Sequence, residues 1–80
     1  MKYVYLIRSV SSPQQRYVGM TGDLRARLAA HNAGRAIHTA KYLPWELVTY
    51  VGFRDAPRAA RFERYLKTGS GFAFANKRLW

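Results

Sequence analysis

The run Lys2-Tyr3-Val4-Tyr5-Leu6-Ile7-Arg8-Ser9 is nearly continuous in apolar and aromatic residues and has β-branched members. Turn chemistry follows it at Ser9-Val10-Ser11-Ser12-Pro13-Gln14-Gln15. A short run of this kind predicts a strand buried on both faces. The whole chain has 80 residues, one domain near the lower end of what folds without metals or cross-links. It has no cysteine, so neither a disulfide framework nor a thiolate metal site is available. The core must come from hydrophobic burial, with the aromatic residues supplying much of the area.

The remaining pattern fills in one sheet-and-helix unit over residues 1–80, without repeats, linkers or low-complexity stretches. Arg16-Tyr17-Val18-Gly19-Met20 returns as a second strand, giving an antiparallel hairpin. Thr21 or Asp23 can cap a helix that Asn32-Ala33-Gly34 can end. Residues 35–44 read as a loop holding Arg35, His38 and Lys41, closed by Pro44. Trp45 to Phe53 alternates as a third strand. Asp55 before Ala56-Pro57 signals the start of a helix over 56–67, which turns Ala59, Phe62 and Leu66 to the core and stops at Gly69. A short last helix follows over 70–80. The expected fold is α+β, a small three-stranded antiparallel sheet flanked by helices in the order β-β-α-β-α-α.

Charge narrows the function. Lys and Arg number 14 against 4 Asp and Glu, a formal net charge of +10, and most of the cations are arginine, whose fork fits phosphate oxygens. A small basic domain whose charges run through its folded elements points to nucleic acid. No apolar run reaches the roughly 18 residues of a membrane span, and the amino-terminal segment is too short and too soon charged for a signal peptide. The cytoplasm is the expected location.

Several residues stand out as candidate chemistry, each with an ordinary alternative. Tyr5 and Tyr17 lie on strands, where tyrosines commonly pack across the sheet. On the first helix Leu24, Leu28 and His31 share a face, and Arg27 stands one turn before His31, so the two can meet; Arg25 points away. Hydrolysis of a phosphodiester needs a nucleophilic water, charge stabilisation and help for the leaving oxygen. Mg²⁺ supplies part of this while keeping several waters, so one protein carboxylate can suffice. Asp23 and Asp55 sit where caps belong and Glu46 opens a strand. Glu63, at the margin of its helix's apolar stripe, is the best placed of the four acids; an i,i+4 ion pair with Lys67 is its alternative.

Together these residues form an ordered pattern. Tyr3-Val4-Tyr5, Tyr17-Val18-Gly19, Thr21-Gly22-Asp23-Leu24-Arg25-Ala26-Arg27-Leu28 with His31-Asn32, and Ala59-Ala60-Arg61-Phe62-Glu63-Arg64-Tyr65-Leu66-Lys67 resemble the GIY-YIG nuclease superfamily. The likeness covers nearly the whole chain and is nearest to small stand-alone bacterial members, akin to the amino-terminal nuclease domain of the bacterial excision-repair enzyme. It implies a Mg²⁺- or Mn²⁺-dependent endonuclease, acting on DNA more than RNA. Tyr17 would be the general base or water-positioning phenol with Tyr5 beside it. Arg27 would clamp the scissile phosphate, His31 would support proton transfer, and Glu63 would hold the metal. Gly19 would let backbone approach substrate or turn tightly. Arg25, Arg35, Lys41 and Lys67 are the candidate nucleic-acid contacts.

The chain departs from the family pattern at Tyr3, which stands where the name-giving glycine would be. Asn76 is a candidate for the family's asparagine after the glutamate helix. With no second DNA-binding domain in the sequence, substrate choice is expected to rest on nucleic-acid structure or on an accessory protein. The alternative to an enzyme is a non-catalytic nucleic-acid-binding module of a repair or RNA-associated complex.

Overall fold

The computed structural model describes residues 1–80. Its elements are β1 (Lys2–Ser9), β2 (Arg16–Thr21), α1 (Leu24–Asn32), β3 (Trp45–Phe53), α2 (Ala56–Leu66) and α3 (Gly69–Arg78), with one turn of 3-10 helix at Ala40–Tyr42. The expected α+β order β-β-α-β-α-α is the observed one. β1 is the middle strand, antiparallel to β2 on one side and β3 on the other.

The central position of β1 explains its composition. Val4 and Leu6 turn to one face, where Ala59 and Leu66 of α2 and Ala75 of α3 complete a core. Tyr5 and Ile7 turn to the other face with Trp45, and Leu24 and Leu28 of α1 pack against them. The two-residue period of a strand thus feeds two separate cores, and every residue from Val4 to Ile7 is buried. Each such aliphatic side chain contributes roughly 1.5–3 kcal/mol when fully buried. The strand anchors both layers.

Local chemistry sets the helix ends. Asp23 opens α1 by accepting the Ala26 N–H at 3.0 Å, and Asp55 opens α2 by accepting the Arg58 N–H at 2.9 Å. α1 closes on Gly34 at φ +75°. There the N–H groups of Gly34 and Arg35 donate to the carbonyls of His31 and Ala30 at 3.0 and 3.1 Å, the paired bonds of a Schellman motif. Asn32 then ties α1 to β3: its amide accepts the Trp45 N–H at 2.6 Å and donates to the Trp45 carbonyl at 3.0 Å.

Two segments differ from expectation. Gly69 does not stop the second helix; α2 ends at Leu66 with Lys67 as its C-cap, and Gly69 is the first residue of α3. Thr68 between them caps α3 by accepting the Gly71 N–H at 3.2 Å. So abrupt a reversal brings α3 onto the last turn of α2, and a side chain at Gly71 would meet Leu66 Cα at 2.8 Å. The segment 35–44 is not all loop: it contains the 3-10 turn and buries Thr39 completely. No helix is long and apolar enough to cross a membrane.

Candidate active site

The site is built around a missing side chain. Gly19 of β2 pairs directly with Tyr5 of β1, and a Cβ at Gly19 would lie 2.6 Å from Tyr5 Cζ and 2.9 Å from Cε1. Contacts that close do not occur between carbon atoms, whose optimum is about 3.5–4.0 Å. The bare backbone of Gly19 is therefore the bed on which the Tyr5 ring lies. This is a packing reason for the glycine, different from the expected approach of substrate or tight turn.

Lying there, the Tyr5 hydroxyl becomes a junction. It accepts from Arg27 Nε at 3.2 Å and lies 2.8 Å from His31 Nε2. His31 Nδ1 is 2.7 Å from Thr39 Oγ1, whose own hydroxyl donates to the Ala36 carbonyl at 3.4 Å. The directions follow from counting protons. Thr39 spends its proton on Ala36, so its oxygen accepts the His31 Nδ1–H. Nε2 is then a lone pair that accepts the Tyr5 proton, and the phenol oxygen is free to accept from Arg27. No buried polar side-chain atom in the protein lacks a partner.

Electrostatics holds these protonation states. Burial raises the Tyr5 phenol above its usual 10.0; the hydrogen bond and charge of Arg27 oppose the rise, and the phenol of Tyr17 and the carboxylate of Glu63 add to it. Burial and then the Arg27 charge lower His31 below 6.5, keeping the imidazole neutral. The hydrogen bond to Tyr5, then the Tyr5 and Tyr17 phenols, raise Arg27. It stays a cation throughout.

Three of the expected site residues therefore meet at one oxygen, and Tyr17 joins them. Its ring lies 5.2 Å from His31 and 6.3 Å from Tyr5, centroid to centroid. Tyr5 and His31 are buried, whereas Arg27 is exposed and Tyr17 half-buried, so the last two are the groups that can meet a ligand. Glu63 lies on α2, which packs on the opposite face of the sheet from Tyr5, and its carboxylate adds only the smallest part to the rise of the Tyr5 phenol. The Glu63 side chain is only 23% exposed and pairs with Lys67 Nζ at 3.3 Å, so the ion pair foreseen as its alternative exists as well.

The other acids are engaged elsewhere. Asp23 and Asp55 cap helices, and Glu46 pairs with Arg8 at 3.7 Å. No cluster of three His, Cys, Asp or Glu side chains occurs. A lone carboxylate oxygen fits Mg²⁺ or Mn²⁺, hard cations that complete their shell with water and phosphate oxygens, and it does not fit a zinc-type cage. Of the remaining cations, Arg25, Arg35 and Lys41 are exposed on α1, just beyond it and in the 3-10 turn. None of the three has an acidic partner, so they remain open to phosphate.

Two residues of this region escape sequence reasoning. Thr39 reads as a loop residue, and only the folded contact eight residues back to His31 reveals it. Arg16, at the start of β2, donates from Nη1 to Asn76 Oδ1 at 3.0 Å. The candidate asparagine thus orients a guanidinium.

A family model described as the GIY-YIG catalytic domain matches residues 1–77. The structure-specific endonuclease subunit SLX1 homolog of Giardia intestinalis is 37% identical over 65 residues, 76% of this chain and 18% of that protein. The structure-specific endonuclease subunit slx1 of Talaromyces marneffei is 40% identical over 65 residues, 74% of this chain and 17% of that protein. The UPF0213 protein of Streptococcus pyogenes is 36% identical over 66 residues, 81% of this chain and 70% of that protein. The match spans about a fifth of the length of the first two relatives.

Proposed function

We infer the function from one premise: the chain belongs to the GIY-YIG family, whose catalytic domain it matches over residues 1–77. We propose that it is an endonuclease that hydrolyses phosphodiester bonds in DNA with Mg²⁺ or Mn²⁺, selecting the structure of the DNA more than its sequence. The observation that carries this reading is the state of Arg27. It is an exposed guanidinium pinned at Nε by the buried Tyr5 phenol, beside the half-buried Tyr17.

Pinning at Nε leaves the two terminal nitrogens of Arg27 to grip non-bridging oxygens of a phosphate. A held guanidinium meets the extra charge of the phosphorane-like transition state without reorganising, which is where electrostatic preorganisation gains most. Tyr5 is no base here, since its own proton is committed to His31. Tyr5, His31 and Thr39 are positioning residues for Arg27. Tyr17 offers its phenol oxygen as a hydrogen-bond acceptor to the attacking water, aiming the water at phosphorus. As the water oxygen bonds to phosphorus its proton passes to bulk solvent, the opposite P–O bond breaks, and the leaving oxygen takes up a proton from solvent. Glu63 would hold the divalent ion, leaving Lys67 to swing to substrate. When bound, such an ion neutralises charge on the phosphate and the leaving oxygen.

Arg25, Arg35, Lys41 and Lys67 would supply sequence-independent phosphate contacts, which makes binding steeply salt-dependent. The SLX1 relatives are named as subunits of structure-specific endonucleases, which supports an accessory protein for this chain too. The test is incubation of the protein with end-labelled duplex, flap and single-stranded DNA, with Mg²⁺ or Mn²⁺ and with a chelator. Cutting focused at the flap junction and abolished by the chelator is expected. Failure to cut any of the three with either metal would sink the proposal.

A further inference from the structure

Beside the proposed nuclease site lies a pocket of about 390 Å³ whose walls include Arg16, Tyr17, Lys67, Phe72 and Trp80. Its size falls within the roughly 300–1,000 Å³ of small-molecule sites. Tyr17 belongs to both the pocket and the site, and Lys67 reaches Glu63 from the pocket wall. A group held here is therefore next to whatever Arg27 and Tyr17 hold.

The walls specify the chemistry of the occupant. Phe72 is 56% exposed, a large flat ring left in water at the pocket mouth. The Arg16 guanidinium lies 4.8 Å above the Trp80 ring centroid and 5.8 Å from that of Phe72, and Asn76 holds its Nη1. Three elements, β2, α3 and the segment after it, thus fix one cation whose charge no acid balances. Arg16 lies over both rings and nearer to Trp80, and Phe72 is the ring that keeps more than half of its surface in solvent. No acidic side chain lines the pocket. A flat, apolar-faced group attached to an anion suits such walls, and an unpaired nucleotide is that kind of group. A paired base does not, because its faces are already stacked and its edge is bonded to its partner.

We propose that this pocket takes the unpaired base of the nucleotide next to the scissile phosphate, stacked on Phe72, with Arg16 against that nucleotide's own phosphate. The proposal rests on the nuclease reading and deepens it. It gives this domain a way of its own to recognise the single strand at a junction. Duplex DNA lacks the unpaired base and leaves the pocket empty.

The test uses the whole chain in the presence of a chelator, so that binding is read without cleavage. Fluorescence anisotropy gives the affinity for a DNA flap and for the same flap with abasic residues at the junction. The parent is expected to prefer the intact flap about tenfold, within the range measured for single base-aromatic stacks. Phe72→Ala, at a position 56% exposed and outside both core clusters, should bind both flaps alike, and Phe72→Trp should restore the preference. Equal binding of the two flaps by the parent, or a preference undiminished in Phe72→Ala, overturns the pocket. The two readings separate cleanly. Cleavage without base preference removes the pocket and keeps the nuclease, whereas base preference without cleavage does the reverse.

Discussion

Replacing Gly19 by alanine sets two effects of opposite sign against each other. Gly34 is the only glycine with positive φ, so the backbone at Gly19 is open to alanine. On chain entropy alone the change would stabilise the fold by about 0.4–1 kcal/mol. The new Cβ, however, would sit 2.6 Å from Tyr5 Cζ, and restoring ordinary contact moves the ring by on the order of 1 Å. Overpacking a site of this kind costs about 1–3 kcal/mol. The same displacement takes the hydroxyl from His31 and Arg27, and a buried group left unpaired costs a further 1–3 kcal/mol or so. The steric side wins, and we expect a net loss of about 2–4 kcal/mol. Urea unfolding followed by circular dichroism measures it. In a Tyr5→Leu background the ring is gone, and Gly19→Ala should then be neutral or stabilising. A loss below about 0.5 kcal/mol in the parent, or an equal loss in both backgrounds, would refute the reasoning.

Two further outcomes follow from the buried hydrogen-bond chain. Thr39→Val keeps the shape but leaves the His31 Nδ1–H without an acceptor; it should cost about 1–3 kcal/mol and slow cleavage, with Thr39→Ser restoring both in melts and rate assays. His31 is held neutral, its pKa lowered below 6.5 by burial and by Arg27, while the unfolded chain titrates at the ordinary value. The unfolded state therefore binds more protons in the interval between them. The stability from this group is fully present above about pH 6.5 and is lost as pH falls through the folded value. Urea midpoints across mildly acidic pH should fall accordingly, and His31→Gln should flatten the dependence.

How far the sequence reveals this molecule depends on whether the cause is local. The limits of β3 at Trp45 and Phe53 and the cap Asp55 are visible because alternation and capping are short-range effects, which also narrow the cap of α1 to Thr21 or Asp23, of which Asp23 serves. The meeting of Arg27 with His31 is visible too, since one helical turn separates them. Gly69 misleads because glycine after a helix usually closes it, whereas here Thr68 starts another helix at once. Thr39 is hidden because an otherwise ordinary loop residue gains its role only when the chain folds back onto α1. The role of Gly19 is hidden likewise, since cross-strand register places Tyr5 over it. The pocket around Phe72 and Trp80 needs β2, α2 and α3 together, and no single stretch of the chain announces it.

In the proposed mechanism Glu63, Arg27 and Tyr17 act together to cut DNA. Single-turnover cleavage of a labelled flap in Mg²⁺, with binding measured in the same samples, tests it most directly on the parent and Glu63→Gln. That substitution keeps the shape and removes the charge, and the amide oxygen of the glutamine can still accept from Lys67, whose own side chain is exposed. The prediction is that Glu63→Gln binds the flap as tightly as the parent while its cleavage rate falls by at least about a hundredfold. Cleavage by Glu63→Gln at the parent's rate would contradict the account.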